Sequence, residues 1–237
     1  MTALRRIATK ARNPLDLGRA VLRRVVPASP RFGFPWLQQP DGSVTFHERG
    51  FVEAASPSAL LARHNYETQR IREELSGLTF RRSLEVGCGF GRLSTTFASF
   101  SDEHVAVDVN ETALAAARVA YPDIAFEHVV PSVLPFPTGH FDLVCTWTVI
   151  QHVRPEMIQN TCDELRRVLA PGGTMLLCEE TRDPHGAASH TWHRTVEEYR
   201  SLLSPLVLRR HGYIHEIDRI PGMTSPGEVM LWTNPVP

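Results

Sequence analysis

Residues 84–93 read LEVGCGFGRL, in which Gly87, Gly89 and Gly91 alternate with other residues. Glycines at these positions let the backbone turn sharply and let a bound group approach the chain closely. The apolar residues before them predict a short buried strand, and a helix is expected over residues 91–100. The N-terminal amides of that helix would then be free to meet a ligand. The stretch therefore predicts a ligand-binding loop at the carboxyl end of a buried strand.

Strands and helices alternate along the rest of the chain, and this order predicts the fold class. Strands are expected at residues 83–86, 104–109, 124–129, 141–146, 174–178, 207–220 and 228–233. Helices are expected at residues 58–75, 91–100, 111–120 after an Asn110 N-cap, 155–169 with Pro155 in the first turn, and 195–203. Strands that are apolar on both faces indicate a mostly parallel sheet covered by helices on both sides. The predicted class is α/β, with ligands bound outside the carboxyl ends of the strands.

The composition is that of a globular protein and argues against several other classes. The 237 residues are 42% hydrophobic, which is enough for one sizeable core. No apolar run reaches the roughly 18 residues of a membrane span, and the first residues lack an apolar signal-peptide core. The cysteines show no paired spacing, so we expect free thiols in a reducing, cytoplasmic compartment.

The first 30 residues carry an excess of positive charge. Seven basic residues and one acid give them +6, and since the whole chain is −1, the remaining residues sum to −7. The acidic body is not typical of a nucleic-acid-binding protein. The basic segment is either a solvated helix that covers the body or a contact for an anionic partner, a membrane surface or an acidic substrate. We divide the chain into a basic and irregular covering segment, residues 1–57, and a domain over residues 58–237.

Further motifs accompany the glycine-rich loop. The third glycine of the dinucleotide fingerprint GxGxxG is replaced by Arg92, so the loop reads GxGxG with Glu85 in front of it. For the glycines alone, a purely structural tight turn is the alternative. The stretches LEVGCGFGRL, VAVDVN, LPFPTGHFDLV and ELRRVLAPGG together resemble the class I methyltransferases that use S-adenosylmethionine (SAM). The resemblance covers residues 60–213 and is closest to the group of quinone-biosynthesis and bacterial small-molecule methyltransferases.

The resemblance implies a Rossmann-like, seven-stranded sheet with an antiparallel last strand, and SAM as the cofactor, released as S-adenosylhomocysteine. It places Glu85 near the amino-acid end of the cofactor. It also places Asp108, 21 residues after Gly87, where its carboxylate accepts hydrogen bonds from both ribose hydroxyls. An exposed strand-end aspartate on the surface is the alternative. The other expected contacts in the glycine loop and the later strand are Gly87, Cys88, Gly89, Gly91, Thr146 and Trp147. For Trp147, a plain core position is the alternative.

One position departs from the family's pattern. Relatives usually carry an acid that binds the adenine amino group four residues before Leu134, where this chain has Val130. The resemblance therefore implies that adenine is held by backbone groups and by Ser132, Val133 and Val109.

Two stretches offer groups for the methyl acceptor. His152 in TVIQHV follows the strand at 141–146, and an imidazole can take a hydroxyl proton near neutral pH, so we predict a general base there. Loop capping or packing is the alternative. The stretch HGAASHTWHRT, residues 185–195, offers acceptor contacts from His190, Trp192 and His193, with an exposed polar loop as the alternative. We expect no metal, because no carboxylate cluster accompanies these histidines.

The predicted function is SAM-dependent O-methylation of a small polar molecule, with a sugar hydroxyl favoured. N- or C-methylation of a natural product or quinone-like molecule is the first alternative. A non-catalytic SAM-binding partner subunit is the second. The expected partner is a small-molecule acceptor, without nucleic acid or an integral membrane segment, and a homo-oligomer is left open.

Overall fold

The computed structural model describes residues 57–182 and 191–236, together with three short strands nearer the N-terminus. These are β1 (Leu37–Gln38), β2 (Val44–Thr45) and β3 (Glu53–Ala54), which pair antiparallel in that order. The basic segment predicted within residues 1–30 lies outside the described residues, and so does His190. The division of the chain at residue 57 stays a prediction.

The main sheet contains the glycine-rich loop at one of its strand ends. Its strands are β4 (Phe80–Val86), β5 (Ser101–Asp108), β6 (Ala125–His128), β7 (Phe141–Trp147), β8 (Leu169–Glu179), β9 (Val207–Tyr213) and β10 (Glu228–Thr233). The described helices are α1 (Pro57–Glu74), α2 (Ser94–Ala98), α3 (Glu111–Ala120), α4 (Ile158–Val168) and α5 (Val196–Leu202). Short 3₁₀ turns follow β7 at Ile150–His152 and β9 at Ile217–Arg219.

The strand order places a switch point beside β4. The order is β6-β5-β4-β7-β8-β10-β9. The pairs from β6 to β8 are parallel, and β10 runs antiparallel to both of its neighbours. The chain moves outward from β4 to β6 and then returns to the other side of β4 as β7. Open sheets of this kind bind ligands outside the strand ends at such a point. The predicted mostly parallel, seven-stranded sheet with an antiparallel last strand is confirmed.

The core lies on both faces of this sheet. Alternate residues of one strand point to opposite faces, so Leu231 of β10 joins one apolar cluster while Met230 and Trp232 join the other. Helices α1 and α2 cover the first cluster with residues such as Leu60 and Phe97, and α4 and α5 cover the second. Each such buried side chain contributes about 1.5–3 kcal/mol relative to leaving it exposed. Helices therefore cover both faces, as the strand composition predicts.

Several predicted boundaries shift in the structure. Helix α3 begins as predicted, because the Asn110 side chain accepts a hydrogen bond from the Ala113 N–H at 3.1 Å. The prediction of a helix from Pro155 was wrong, since a turn occupies residues 154–157 and α4 begins at Ile158. The strand predicted over residues 207–220 was also too long, because β9 ends at Tyr213 and the chain then turns. The strand predicted over residues 228–233 is confirmed as β10.

All four cysteines are buried in the fold. Burial surrounds all four thiols, which are free as predicted: Cys88, Cys145, Cys162 and Cys178. Burial raises the pKa of the Cys145 and Cys178 thiols well above the usual value, so they stay protonated.

No helix in the described part of the chain is both long enough and apolar enough to cross a membrane.

A buried acid on α1 makes the stability of the fold depend on pH. Glu67 is fully buried and forms ion pairs with Arg63 and Arg92. Burial alone would raise the pKa of Glu67, but the charges of Arg92 and Arg63 more than offset it and lower the pKa from 4.5 to about 2. Because the folded-state pKa lies below the unfolded value, this carboxylate stabilises the fold above pH 4.5 and that stabilisation is lost as the pH falls toward 2.

We therefore expect Glu67→Gln to be less stable than the wild type at about pH 7 and to approach it at about pH 3. The reason is that Glu67 of the unfolded wild type binds a proton below pH 4.5, while the buried carboxylate stays ionised until about pH 2, and a glutamine has no such proton linkage. Urea unfolding of both proteins at the two pH values measures the difference. A stability deficit that stays constant across the range would contradict this role for Glu67.

Candidate functional site

The glycine-rich loop turns at the carboxyl end of β4 and leaves one of its glycines open. Gly87 has φ +78° and Gly89 has φ +54°, a region that L-residues rarely adopt. A Cβ added at Gly87 would lie 2.3 Å from Val149 Cγ2, so this position must stay a glycine for the loop to pack against Val149. A Cβ added at Gly89 would meet no atom within 4 Å. The loop is therefore packed on one side and open at Gly89.

That open side faces a cavity at the switch point of the sheet. The cavity measures about 460 Å³, within the usual range for small-molecule sites. Five segments that are distant in sequence supply most of its wall: residues 85–90, 108–110, 129–134, 147–149 and 152–154. Residues from α4 close one end, so the cavity lies between the carboxyl ends of the strands and a covering helix.

Most of the expected cofactor residues line this cavity. The lining includes Glu85, Gly87, Cys88, Gly89, Asp108, Val109, Ser132, Val133 and Trp147. Gly91 and Thr146 do not line it. A Cβ at Gly91 would lie 2.8 Å from Phe126 Cζ, which shows that Gly91 packs against β6. Thr146 is fully buried, and its hydroxyl donates to Glu179 Oε1 at 2.9 Å.

Asp108 connects β5 to the glycine loop. Its Oδ2 accepts the Gly89 N–H at 2.7 Å, and its Oδ1 accepts the Asn110 N–H at 2.8 Å. Burial raises the pKa of Asp108, while these backbone donors act in the opposite direction. Each carboxylate oxygen keeps a second lone pair, so the group can still accept hydrogen bonds from ligand hydroxyls. Asp108 thus both anchors the loop and presents acceptor capacity to the cavity.

Glu85 belongs to a polar network behind the same loop. Its buried carboxylate accepts a hydrogen bond from the Ser94 hydroxyl at the start of α2. His104 Nε2 lies 3.7 Å from Glu85 Oε2, and His104 Nδ1 lies 2.7 Å from the Ser83 hydroxyl. These contacts hold the Glu85 side chain in one place at the cavity wall.

One end of the cavity is apolar and has a strained backbone. Val109, Val130 and Val133 line it, and each is more than half exposed. Three exposed valines around one cavity offer an apolar surface to a flat ring. Ser132 has φ +58°, a costly conformation for a non-glycine residue, and its hydroxyl lies 2.7 Å from the Thr161 hydroxyl on α4. The hydrogen bond helps to hold this strained turn beside the cavity.

Trp147 presents a hydrogen-bond donor without a protein acceptor. The side chain lines the cavity and is 6% exposed. Its indole N–H is buried and finds no hydrogen-bond partner among the described residues. The ring packs in the core, where its centroid lies 6.4 Å from that of Phe97. Trp147 therefore belongs both to the core and to the cavity wall.

His152 ends the 3₁₀ turn after β7 and lines the cavity. The segment that carries Trp192 and His193 passes beside this turn, and the Trp192 N–H donates to the Gln151 carbonyl at 2.6 Å. Trp192 and His193 are partly buried but do not line the cavity. The structure thus brings His152 and the glycine loop together and places Trp192 next to them.

Several residues of the cavity wall were not among the predicted site residues. Val149 packs against Gly87, and Arg92 lines the cavity while its side chain pairs with Glu67. Their positions just after β7 and just after the glycine loop were the available signals. No group of three or more His, Cys, Asp or Glu side chains within the described residues is arranged to hold a metal ion.

The family comparison connects this cavity to a known chemistry. Residues 84–173 match the family model described as a methyltransferase domain. Over these residues the chain is thus similar to methyltransferase domains. A probable SAM-dependent methyltransferase of Mycolicibacterium smegmatis is 30% identical over 135 residues, 57% of this chain and 51% of that protein.

One further relative and one solved structure are similar to this chain. A ubiquinone biosynthesis O-methyltransferase of Pseudomonas aeruginosa is 30% identical over 122 residues, 47% of this chain and 50% of that protein. The chain spans about half the length of the curated relatives it matches. The N-methyltransferase NodS of Bradyrhizobium japonicum, solved with S-adenosylhomocysteine, has the same fold, with a TM-score of 0.60 at 20% identity. That similarity covers 75% of this chain and 88% of NodS.

The groups that line the cavity are compatible with SAM. The open backbone at Gly89 admits a close approach, and the Asp108 carboxylate can accept from ribose hydroxyls. The exposed valines offer an apolar surface that suits the adenine ring. The cavity is therefore compatible with SAM, the cofactor that the name of the similar Mycolicibacterium smegmatis protein states.

Replacing Asp108 by alanine is expected to weaken SAM binding by about 1–3 kcal/mol, because hydrogen bonds to a charged group are lost and the loop anchor at Gly89 is removed. Asp102, exposed at the other end of β5, gives the matched control Asp102→Ala. Calorimetric titration with SAM measures both variants. Unchanged affinity in a folded Asp108→Ala protein would reject the ribose assignment.

Proposed function

We propose that this domain transfers the methyl group of SAM to a hydroxyl of a small polar acceptor, with a sugar favoured, and that His152 is the general base. The observation that carries the proposal is the position of His152 in the wall of the same cavity as the glycine loop. Direct displacement needs the acceptor oxygen, the methyl group and the sulfur in line, so binding and orientation supply much of the catalysis.

The residues of the chain have separate tasks in this reaction. Gly89, Asp108, Glu85 and Trp147 would hold the cofactor, which supplies an electrophilic methyl group when bound. A ring nitrogen of His152 takes the proton of the acceptor hydroxyl as its oxygen attacks, because a neutral alcohol is a weak nucleophile. The apolar wall around Val109 and Val133 would pack against the adenine ring of the cofactor.

The alternatives differ in the acceptor atom. One relative is an O-methyltransferase by name and NodS is an N-methyltransferase by name, so the fold alone is compatible with either atom. His152 favours a hydroxyl, because an amine acceptor is already nucleophilic in its neutral form. A SAM-binding subunit without turnover would have no need of a base at the cavity wall.

Acceptor contacts are proposed from the segment beside the His152 turn. Trp192 lies there through its backbone hydrogen bond to Gln151, and an indole ring can stack on the face of a sugar. His193 follows it and offers donors and acceptors for hydroxyl groups. We place the reaction in the cytoplasm, in line with the four free cysteines.

The test is a screen of acceptors with methyl-labelled SAM. Sugars, phenols, amines and activated carbon acids are each incubated with the protein, and the site of the label in any product is determined by mass spectrometry. Label on a hydroxyl oxygen supports the proposal, and label on a sugar supports its favoured form. Label on nitrogen or carbon would reject O-methylation. Absence of labelled product from every class, in a protein that binds SAM, would support the non-catalytic subunit instead.

A further inference from the structure

Two buried charged side chains lie behind the turn at residues 149–153, which carries His152. Glu179, the last residue of β8, is fully buried, and Arg194, just before α5, is 7% exposed. Neither lines the cavity described above. Burying a charge is costly unless it is paired or well hydrogen-bonded, so the contacts of these two residues explain why they are present.

Glu179 binds the turn through its backbone N–H groups. Its Oε1 accepts the Val149 N–H at 3.2 Å and the Thr146 hydroxyl at 2.9 Å. Its Oε2 accepts the Gln151 N–H at 3.0 Å. Burial raises the pKa of the Glu179 carboxyl, and these donors oppose the rise because they favour the ionised form. The side chain also cannot serve as a base for an acceptor, since it does not reach the cavity.

Arg194 binds the same turn through its backbone carbonyls. Its Nη1 donates to the Ile150 carbonyl at 3.0 Å and to the Trp192 carbonyl at 2.9 Å. Its Nη2 donates to the Val153 carbonyl at 2.8 Å. The planar guanidinium is suited to several acceptors in a fixed arrangement, which a flexible ammonium group satisfies less well.

The two residues thus bind complementary backbone groups of one short segment. The anion takes N–H groups of residues 149 and 151, and the cation takes carbonyls of residues 150 and 153. Hydrogen bonds with one charged partner are roughly twice as strong as neutral ones, so the turn is held firmly at both ends. Val149 at its start packs on the glycine loop, and His152 near its end faces the cavity.

We propose that Glu179 and Arg194 are a pair of positioning residues that fix His152 and Val149 relative to the glycine loop. The inference rests on the proposed role of His152. Gln151 adds to the arrangement, since its side-chain Oε1 accepts the Glu180 N–H at 2.8 Å and its carbonyl accepts the Trp192 N–H. The end of β8 and the segment before α5 therefore meet at the turn that carries the base.

Amide hydrogen exchange, followed residue by residue by NMR on the full chain, tests the pair without an acceptor. Glu179→Gln keeps the size of the side chain but places an NH₂ group where one oxygen stood, so it cannot accept from both backbone amides. Arg194→Lys keeps the positive charge but loses the planar guanidinium with its several N–H donors. Arg194→Met loses both the charge and the donors. Exchange of at least one of the Val149 and Gln151 amides, the one that loses its acceptor, is expected to rise about 10- to 100-fold in Glu179→Gln, the factor that one lost hydrogen bond to a charged group implies.

The two Arg194 variants are expected to differ in how strongly they speed amide exchange at the turn. Arg194→Met should speed exchange across residues 149–153 and shift the imidazole signals of His152, and Arg194→Lys should fall between Arg194→Met and the wild type. Arg118 gives the matched control, because it also donates to a carbonyl, that of Phe126, but on the far edge of the sheet. Arg118→Met should leave exchange and the His152 signals unchanged.

Titration with S-adenosylhomocysteine separates this proposal from the proposed function. Fast exchange at the turn in variants that still bind S-adenosylhomocysteine supports the positioning role, whatever acceptor the screen identifies. Unchanged exchange and unchanged His152 signals in folded Glu179→Gln and Arg194→Lys would overturn it. Faster exchange throughout the domain, not only at the turn, would also overturn it and assign both residues to general stability.

Discussion

His152→Ala is expected to bind SAM with near wild-type affinity and to lose turnover by about 10²–10⁴-fold. The side chain lines the cavity next to the glycine loop but is not among the groups that would hold the cofactor. A positioned general base contributes about this factor, because the acceptor oxygen must lose its proton as it attacks. The rate of the wild type should fall as the pH drops through the range in which an imidazole becomes protonated, since imidazolium cannot accept a proton.

The measurement is the single-turnover rate at saturating SAM with the acceptor found in the screen. An amine acceptor would produce an acid limb of its own, so the pH profile has to be read together with the variant. His215, which is exposed and does not line the cavity, gives the control His215→Ala. Chemistry at the wild-type rate in His152→Ala would exclude this residue as the base. His193 would then be the next residue to test, because it follows Trp192 beside the same turn.

Gly89→Val is expected to abolish SAM binding, with a loss of about 100-fold or more, in a protein that still folds. A Cβ at this position meets no protein atom within 4 Å, because the space beside it is the cavity itself. The valine side chain would therefore occupy the place of the ligand, and not of a core residue. The substitution also lowers the stability of the fold, because a β-branched residue at φ +54° has an unfavourable backbone conformation.

Gly77 allows that backbone cost to be measured separately. It has φ +76°, a Cβ there would also meet no atom within 4 Å, and it follows α1 away from the cavity. Gly77→Val and Gly89→Val should therefore lose similar amounts of stability in thermal unfolding, and only Gly89→Val should lose binding of S-adenosylhomocysteine in calorimetry. Comparable affinity in the two variants would show that the ligand does not approach the loop at Gly89.

Local signals in the sequence were sufficient to predict the structure of those segments that determine their own conformation. Helix α3 begins after Asn110 because that side chain caps it, and β10 alternates between the two clusters as its apolar pattern predicts. The glycine loop could be predicted for the same reason. Positive φ values and close approach leave few residue types other than glycine.

Contacts between distant segments could not be predicted in this way. Residues 171–173 were expected to separate a helix from a strand, but they belong to β8, because the Gly172 N–H donates to the Asn234 carbonyl and the Asn234 N–H to the Gly173 carbonyl. Thr146 was expected at the cavity, yet a buried acceptor on β8 takes its hydroxyl. Glu179 and Arg194 carry no motif, and their relation to His152 exists only after the chain has folded.

The position of β10 in the sheet affects how the domain folds during synthesis on the ribosome. This strand is made after all the others, yet it lies between β8 and β9 and pairs with both. At synthesis rates of about 5–20 residues per second, β8 waits with an open edge until Glu228–Thr233 have emerged from the ribosome. A chain cut short before Glu228 leaves β8 and β9 without their shared partner, and open strand edges invite aggregation. The last strand thus distinguishes a completely synthesised domain from a truncated one.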